Sequence, residues 1–144
     1  MRRFLSVGFV LLFALGLAPG SLFGQTSEGG DRGFQLNQNY PNPFNPETTL
    51  QFELKPQLFE TGKPVKVTIR IYNVLQQLVA LPTALQHPLG NVPVDELTYD
   101  TPGVKEAFWD GTDQQGRKVA PGIYYMKLVV NGERPAVRKM VVSK

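Results

Sequence analysis

The chain reads as an antiparallel β-sandwich. Three observations point there: segments that alternate apolar and polar residues with a period of two, turn residues at short intervals, and no segment that demands a helix. The sequence holds 14 Gly and 12 Pro among 144 residues, and 42% of it is hydrophobic. Aromatic and β-branched residues are too frequent for a disordered polymer. The length suits one domain of ordinary size.

The first element lies ahead of the fold. Met1-Arg2-Arg3 is followed by an almost wholly apolar stretch from Phe4 to Leu17, then by Ala18-Pro19-Gly20-Ser21-Leu22-Phe23-Gly24. Positive start, apolar run and small-residue exit form the order of a secretory signal peptide. The run of about 14 residues is short for a bilayer span, which needs roughly 20. Cleavage is expected after Gly24, so residues 1–24 are a leader and Gln25 begins the mature chain. Its removal takes two of the fifteen basic residues against twelve acidic ones, so the net +3 is largely a targeting feature. The chain has no cysteine, so an exported domain must rest on its core and not on disulfides.

Residues 25–33 are polar and Gly-rich, a flexible lead-in to a domain spanning 34–144. In Tyr40-Pro41-Asn42-Pro43-Phe44-Asn45-Pro46 three prolines fix φ and remove donors, which excludes helix and central strand. The segment should be an extended, kinked clasp with Tyr40 and Phe44 as anchors. From Thr49 to Leu54 the residues Leu50, Phe52 and Leu54 alternate with polar ones, giving a half-buried strand. Val65 to Tyr72 repeats the pattern, with Val65, Val67, Ile69 and Ile71 inward and Lys66, Thr68 and Arg70 outward. Val74, Leu75, Leu78, Val79 and Leu81 fit a helical face as well as a turn followed by a strand. Residues 83–102 hold three further prolines and read as a long loop with one short strand near Glu96 to Tyr99.

Val104 to Trp109 forms the next strand and runs into a turn-rich stretch, Asp110-Gly111-Thr112-Asp113-Gln114-Gln115-Gly116-Arg117. Ile123 to Val130 is a strongly apolar strand. Asn131-Gly132 is the favoured pair for a type I′ hairpin turn, and Ala136 to Val142 pairs back as the last strand.

Little chemistry for catalysis is available. Missing cysteines exclude thiolate zinc sites and a cysteine nucleophile, and one histidine excludes a His cluster. Ser27 and Ser143 are the only serines of the mature chain, both near its ends. His87 has no neighbouring partner or nucleophile and reads as a plain loop residue. Asp110 and Asp113, with Thr112 between them, are the candidate metal ligands, but calcium wants six to eight oxygens and this run lacks an EF-hand's acidic alternation. Their alternative use is to bond local backbone groups and hold a turn. Asp95-Glu96 reads as a solvated pair. Trp109 is a core anchor. Tyr124-Tyr125 puts one ring on each face of a strand. Arg138, Lys139 and Lys144 place charge on the last strand, either to protect its edge or to be read by a receptor. No basic stripe interleaved with stacking aromatics marks a nucleic-acid binder, and no cofactor is implied.

Several of these pieces, in order, resemble one family. Gln38 through Thr49, with Tyr40-Pro41-Asn42-Pro43-Phe44-Asn45-Pro46 at its centre, is similar to the opening motif of the C-terminal sorting domains of type IX secretion substrates. Those domains are in turn similar to the immunoglobulin-like domain of flagellar hook-capping proteins. Ile71-Tyr72-Asn73-Val74-Leu75 resembles the family's second-strand exit. Trp109-Asp110-Gly111-Thr112-Asp113 through Gly116-Arg117, and Val119-Ala120-Pro121-Gly122-Ile123-Tyr124-Tyr125, resemble its tryptophan turn and penultimate strand. Arg138-Lys139-Met140-Val141-Val142 resembles its final strand. The resemblance covers residues 34–144.

It implies an immunoglobulin-like sandwich of about seven short strands and makes the ambiguous 74–81 segment a turn plus strand. It also implies passage from periplasm to cell surface or medium, through outer-membrane secretion machinery that reads the last strands, Ile123 to Val130 and Ala136 to Lys144. No catalytic residues come with it. Gln76 stands where the family usually has glycine, the 82–102 loop is longer than usual, and only the lead-in separates the leader from the domain where a large cargo is usual. Two other readings stand beside sorting: a structural or adhesive surface subunit that self-associates through an edge strand, and a polysaccharide-binding module using the long loop.

Overall fold

In the computed structural model, residues 31–144 are described; the expected signal peptide and residues 25–30 of the lead-in lie outside them. Nine strands form two antiparallel sheets: β1 (Phe34–Leu36), β2 (Thr48–Leu54), β3 (Val65–Asn73), β4 (Leu78–Ala80), β5 (Thr83–Leu85), β6 (Leu97–Tyr99), β7 (Gly103–Trp109), β8 (Gly122–Val130) and β9 (Ala136–Val142). Sheet A has the order β1-β2-β7-β5, and sheet B the order β4-β3-β8-β9 with β6 also on β3. With β6 set aside, this is the A-B-E-D sheet facing the C-F-G sheet plus one edge strand, an immunoglobulin-type sandwich. Among the described residues no helix is long and apolar enough to cross a membrane.

Alternation builds the core. Leu50, Phe52 and Leu54 of β2 face Val67, Ile69 and Ile71 of β3, and all six are fully buried. Two of the nine strands, β1 and β5, are three-residue pieces beyond the seven expected from sequence. Neither carries enough residues to show a period; pairing to a long neighbour defines each. The 74–81 segment is a turn followed by β4, as the resemblance implied. Gln76 keeps a left-handed backbone (φ 62°) although it is not glycine. Asn73 holds that turn, its Oδ1 accepting from Leu75 N and Gln77 N. After β8, Asn131 (φ 51°) and Gly132 (φ 71°) make the expected hairpin turn, closed by Glu133 N donating to Val130 O.

Thr68 departs from the expected outward exposure. The loop before β6 lies over it, and its hydroxyl accepts a 2.9 Å bond from Glu96 N, so it is buried.

Each sheet edge carries a cover. Ala84 N of β5 donates to Val92 O, and Gln114 N donates to Val79 O of β4. Thr98 O of β6 accepts from the His87 ring, and Leu36 O of β1 accepts from Arg138 Nε. The clasp covers β9. Such covers blunt edges that would otherwise template pairing with another chain.

Candidate functional site

Four stretches far apart in sequence meet at one end of the sandwich. The clasp runs along β9, with Phe44 N donating to Val141 O and Ser143 N to Phe44 O. Asn42 Oδ1 accepts from Val141 N at 3.0 Å, and Gln38 Nε2 donates to Lys139 O at 2.8 Å. Phe44 bridges Val142, whose side chain faces the core, and so enters the core as expected. There it meets Trp109 edge-on at 5.4 Å, and Trp109 meets Tyr124 at 5.7 Å.

Tyr40 does not anchor. Its backbone pairs with Thr49, an outward residue of β2, and directly opposed residues share a face. The residue is therefore 80% exposed. The polar residues Asn39 and Thr48 are buried in its place. Asn39 Nδ2 donates to Pro41 O and to Thr48 Oγ1, and that hydroxyl donates to Pro41 O. The Tyr40–Pro41, Asn42–Pro43 and Asn45–Pro46 peptide bonds are cis. Pro46 ends the clasp beneath Gly111, where a Cβ would overlap the Pro46 carbonyl oxygen. Gly111 also has φ 76°, so the position excludes a side chain twice over.

The tryptophan turn uses its own carboxylates. Asp110 Oδ1 accepts from Thr112 N and Thr112 Oγ1. Asp113 Oδ1 accepts from Gln115 N and Arg117 N, and its Oδ2 meets Arg117 Nε at 3.0 Å. The backbone bond from Arg117, then that from Gln115, hold the Asp113 carboxyl below the usual carboxylate range. Gly116 turns the chain with φ 80°. Among the described residues no three His, Cys, Asp or Glu side chains gather as a metal site, and these two aspartates serve the turn. Trp109 Nε1 donates to Thr112 O, which fastens the same turn to the core.

Gly122 opens β8. Two residues on, the Tyr124 hydroxyl reaches back to donate to Ala120 O at 2.7 Å. A tyrosine at the start of this strand bonding upstream backbone is the tyrosine corner of immunoglobulin-type sandwiches. Burial raises its phenol pKa.

The last strand divides its residues between two tasks. Met140 and Val142 are core. Val141 gives its backbone to the clasp, and Arg138 reaches across to sheet A. Lys139 and Lys144 are exposed.

At the opposite end, β5, β6 and β7 enclose a cleft of about 640 Å³, bordered by Leu85, Leu89, Tyr99, Val104 and Lys105. His87 belongs to its wall and is nearly buried, which plain loop character did not anticipate. Its Nε2 lies 2.8 Å from Thr98 O, and its Nδ1 accepts from Leu89 N. A carbonyl can only accept, so the proton sits on Nε2 and neither ring nitrogen is left for base chemistry. Beside it, Tyr99 is buried and its hydroxyl has no hydrogen-bond partner. Desolvation pushes the Tyr99 phenol up to about 12.

Family models, curated proteins and solved structures give no match to this chain. The residues carry the functional reading. Sequence reasoning missed Asn39 and Thr48, since buried polar pairs have no periodic signature. It also missed the cleft, whose walls come from three strands and the loops beside them.

Proposed function

We propose that the chain is an exported, non-catalytic sandwich that directs outer-membrane translocation or surface attachment in the manner of a type IX sorting domain. One observation carries this reading. The clasp, the tryptophan turn, the start of β8 and the final strand are four of the stretches that carry the family resemblance, and they interlock in one structure around Phe44, Trp109 and Tyr124. A receptor reading the end of β9 would meet a composite surface, since Asn42 and Gln38 are bonded to the backbone of Val141 and Lys139. The adhesive alternative requires the clasp to leave β9 before that edge can pair with another chain.

The test fuses residues 34–144 behind a periplasmic reporter in a host with a type IX system. Delivery of the reporter to the surface or medium is expected. A reporter that stays in the periplasm contradicts the proposal.

A further inference from the structure

Register and alternation sort the charged side chains by sheet face. Strands β3, β8 and β9 contain no Asp or Glu. Their outward positions carry Lys66, Arg70, Lys127 and Lys139. The outward positions of β2 and β7 carry the reverse, Glu53 and Glu106 with no cation. The two outer faces of the sandwich therefore have opposite signs.

The basic face has a definite layout. Arg70 stands directly opposite Lys127, with side chains starting about 5 Å apart. Lys127 pairs with Val137, so Lys139 lies on the diagonal, about 7–8 Å away. Lys66 is four residues back along β3, about 13 Å from Arg70. Tyr72, Tyr125 and Lys139 make one row across the three strands. Like charges placed directly opposite each other cost stability. Relief within the fold is partial. Asp95 approaches Arg70 at 3.6 Å, and Lys127 lies 4.5 Å over the Tyr72 ring while donating to Gln76 Oε1. Asp95 and Glu96 border the face beyond β3, and Glu133 lies in the turn after β8.

We propose that this face binds an acidic polysaccharide, with the four cations meeting carboxylates along the glycan. The exposed aliphatic residues Ile123 and Val137 lie between and beside the cations and suit the C–H faces of sugar rings. Single-stranded nucleic acid fits less well, because the Tyr72 ring already carries Lys127, which leaves Tyr125 as the one other outward ring of these strands for stacking a base. A second copy offering its sheet A face would bring two carboxylates against four cations, leaving the charge unmatched. This inference is independent of secretion and rests on a surface that borders the 82–102 loop at Asp95 and Glu96 but does not include the cleft.

The test is affinity electrophoresis of the full chain in gels containing polygalacturonate, with neutral dextran and oligothymidylate gels as comparisons. Retardation by polygalacturonate, fading as salt rises, is expected. The double variant K127Q/K139Q should bind about tenfold more weakly, while K105Q/K118Q, which removes as much charge elsewhere, should bind as the parent does. D95N, which frees Arg70, should bind more tightly, an arm that does not depend on the double variant folding. Four results overturn the proposal: no retardation by polygalacturonate, equal loss in both double variants, stronger retardation by oligothymidylate, or self-association lost in K127Q/K139Q without glycan binding.

Discussion

Two buried tyrosines stand at opposite ends of sheet B and face opposite circumstances. Tyr124 lies at the clasped end, where β8 pairs with the end of β3, and its hydroxyl donates to Ala120 O. Tyr99 lies at the other end, where β6 pairs with the start of β3, and its hydroxyl has no partner. Around Tyr124, the described side-chain polar groups are spent on turns, on the clasp and on the last strand. Around Tyr99, an open cleft adjoins a buried polar atom that the fold does not satisfy. One end is built to hold a fixed shape, and the other keeps recognition chemistry unspent.

The largest effect should come from removing the keystone of the clasped end. Phe44→Ala takes a fully buried ring from between Val142 and Trp109, and should cost about 3–5 kcal/mol in urea unfolding. It should also loosen hydrogen-exchange protection of Val141 and Ser143, whose amides lean on the clasp. A loss under about 1 kcal/mol would mean that the clasp is an ornament on an independently stable sandwich. Gly111→Ala comes next. Its left-handed backbone costs an L-residue about 1–2 kcal/mol, and overlap with the Pro46 carbonyl adds to that, so at least about 2 kcal/mol is expected. By contrast, Gly116→Ala meets no atom nearby and should show only the backbone cost.

Much of the fold was legible from the residues. The period of two in Leu50-Phe52-Leu54 and in Val65 to Ile71 survives because both strands have one buried face and one open face. Asn131-Gly132 was legible because positive φ at two successive residues selects for that pair. What escaped depends on partners distant in sequence. Thr68 looked outward until a loop nearly thirty residues later covered it. Tyr40 looked like an anchor because its chemistry is that of one, yet its pairing with Thr49 turns it to solvent. The basic face was invisible because its cations are divided among β3, which supplies two, β8 and β9, and join only through the register.

Smaller effects concern titration. Tyr99 ionises near 10 when unfolded and near 12 when folded. The raised value means that its contribution is complete below pH 10 and is lost as pH rises toward 12. Alkaline unfolding curves of Tyr99→Phe should lack that portion of the decline. The depressed Asp113 carboxyl works at the other extreme, and its partner Arg117 is solvent-exposed, so its share is slight. That share is present above its ordinary 3.8 and fades as pH falls through the lower folded value, and Asp113→Asn should remove it from an acid unfolding curve.

The contrast between the two ends is tested most directly by one substitution made at each. Tyr124→Phe and Tyr99→Phe both delete a single hydroxyl from a buried ring, and urea unfolding compares them on one scale. Tyr124→Phe should lose about 1–2 kcal/mol, since Ala120 O loses its donor. Tyr99→Phe should be neutral or gain up to about 1 kcal/mol, since the hydroxyl removed had no partner. Equal losses at both positions would contradict the account.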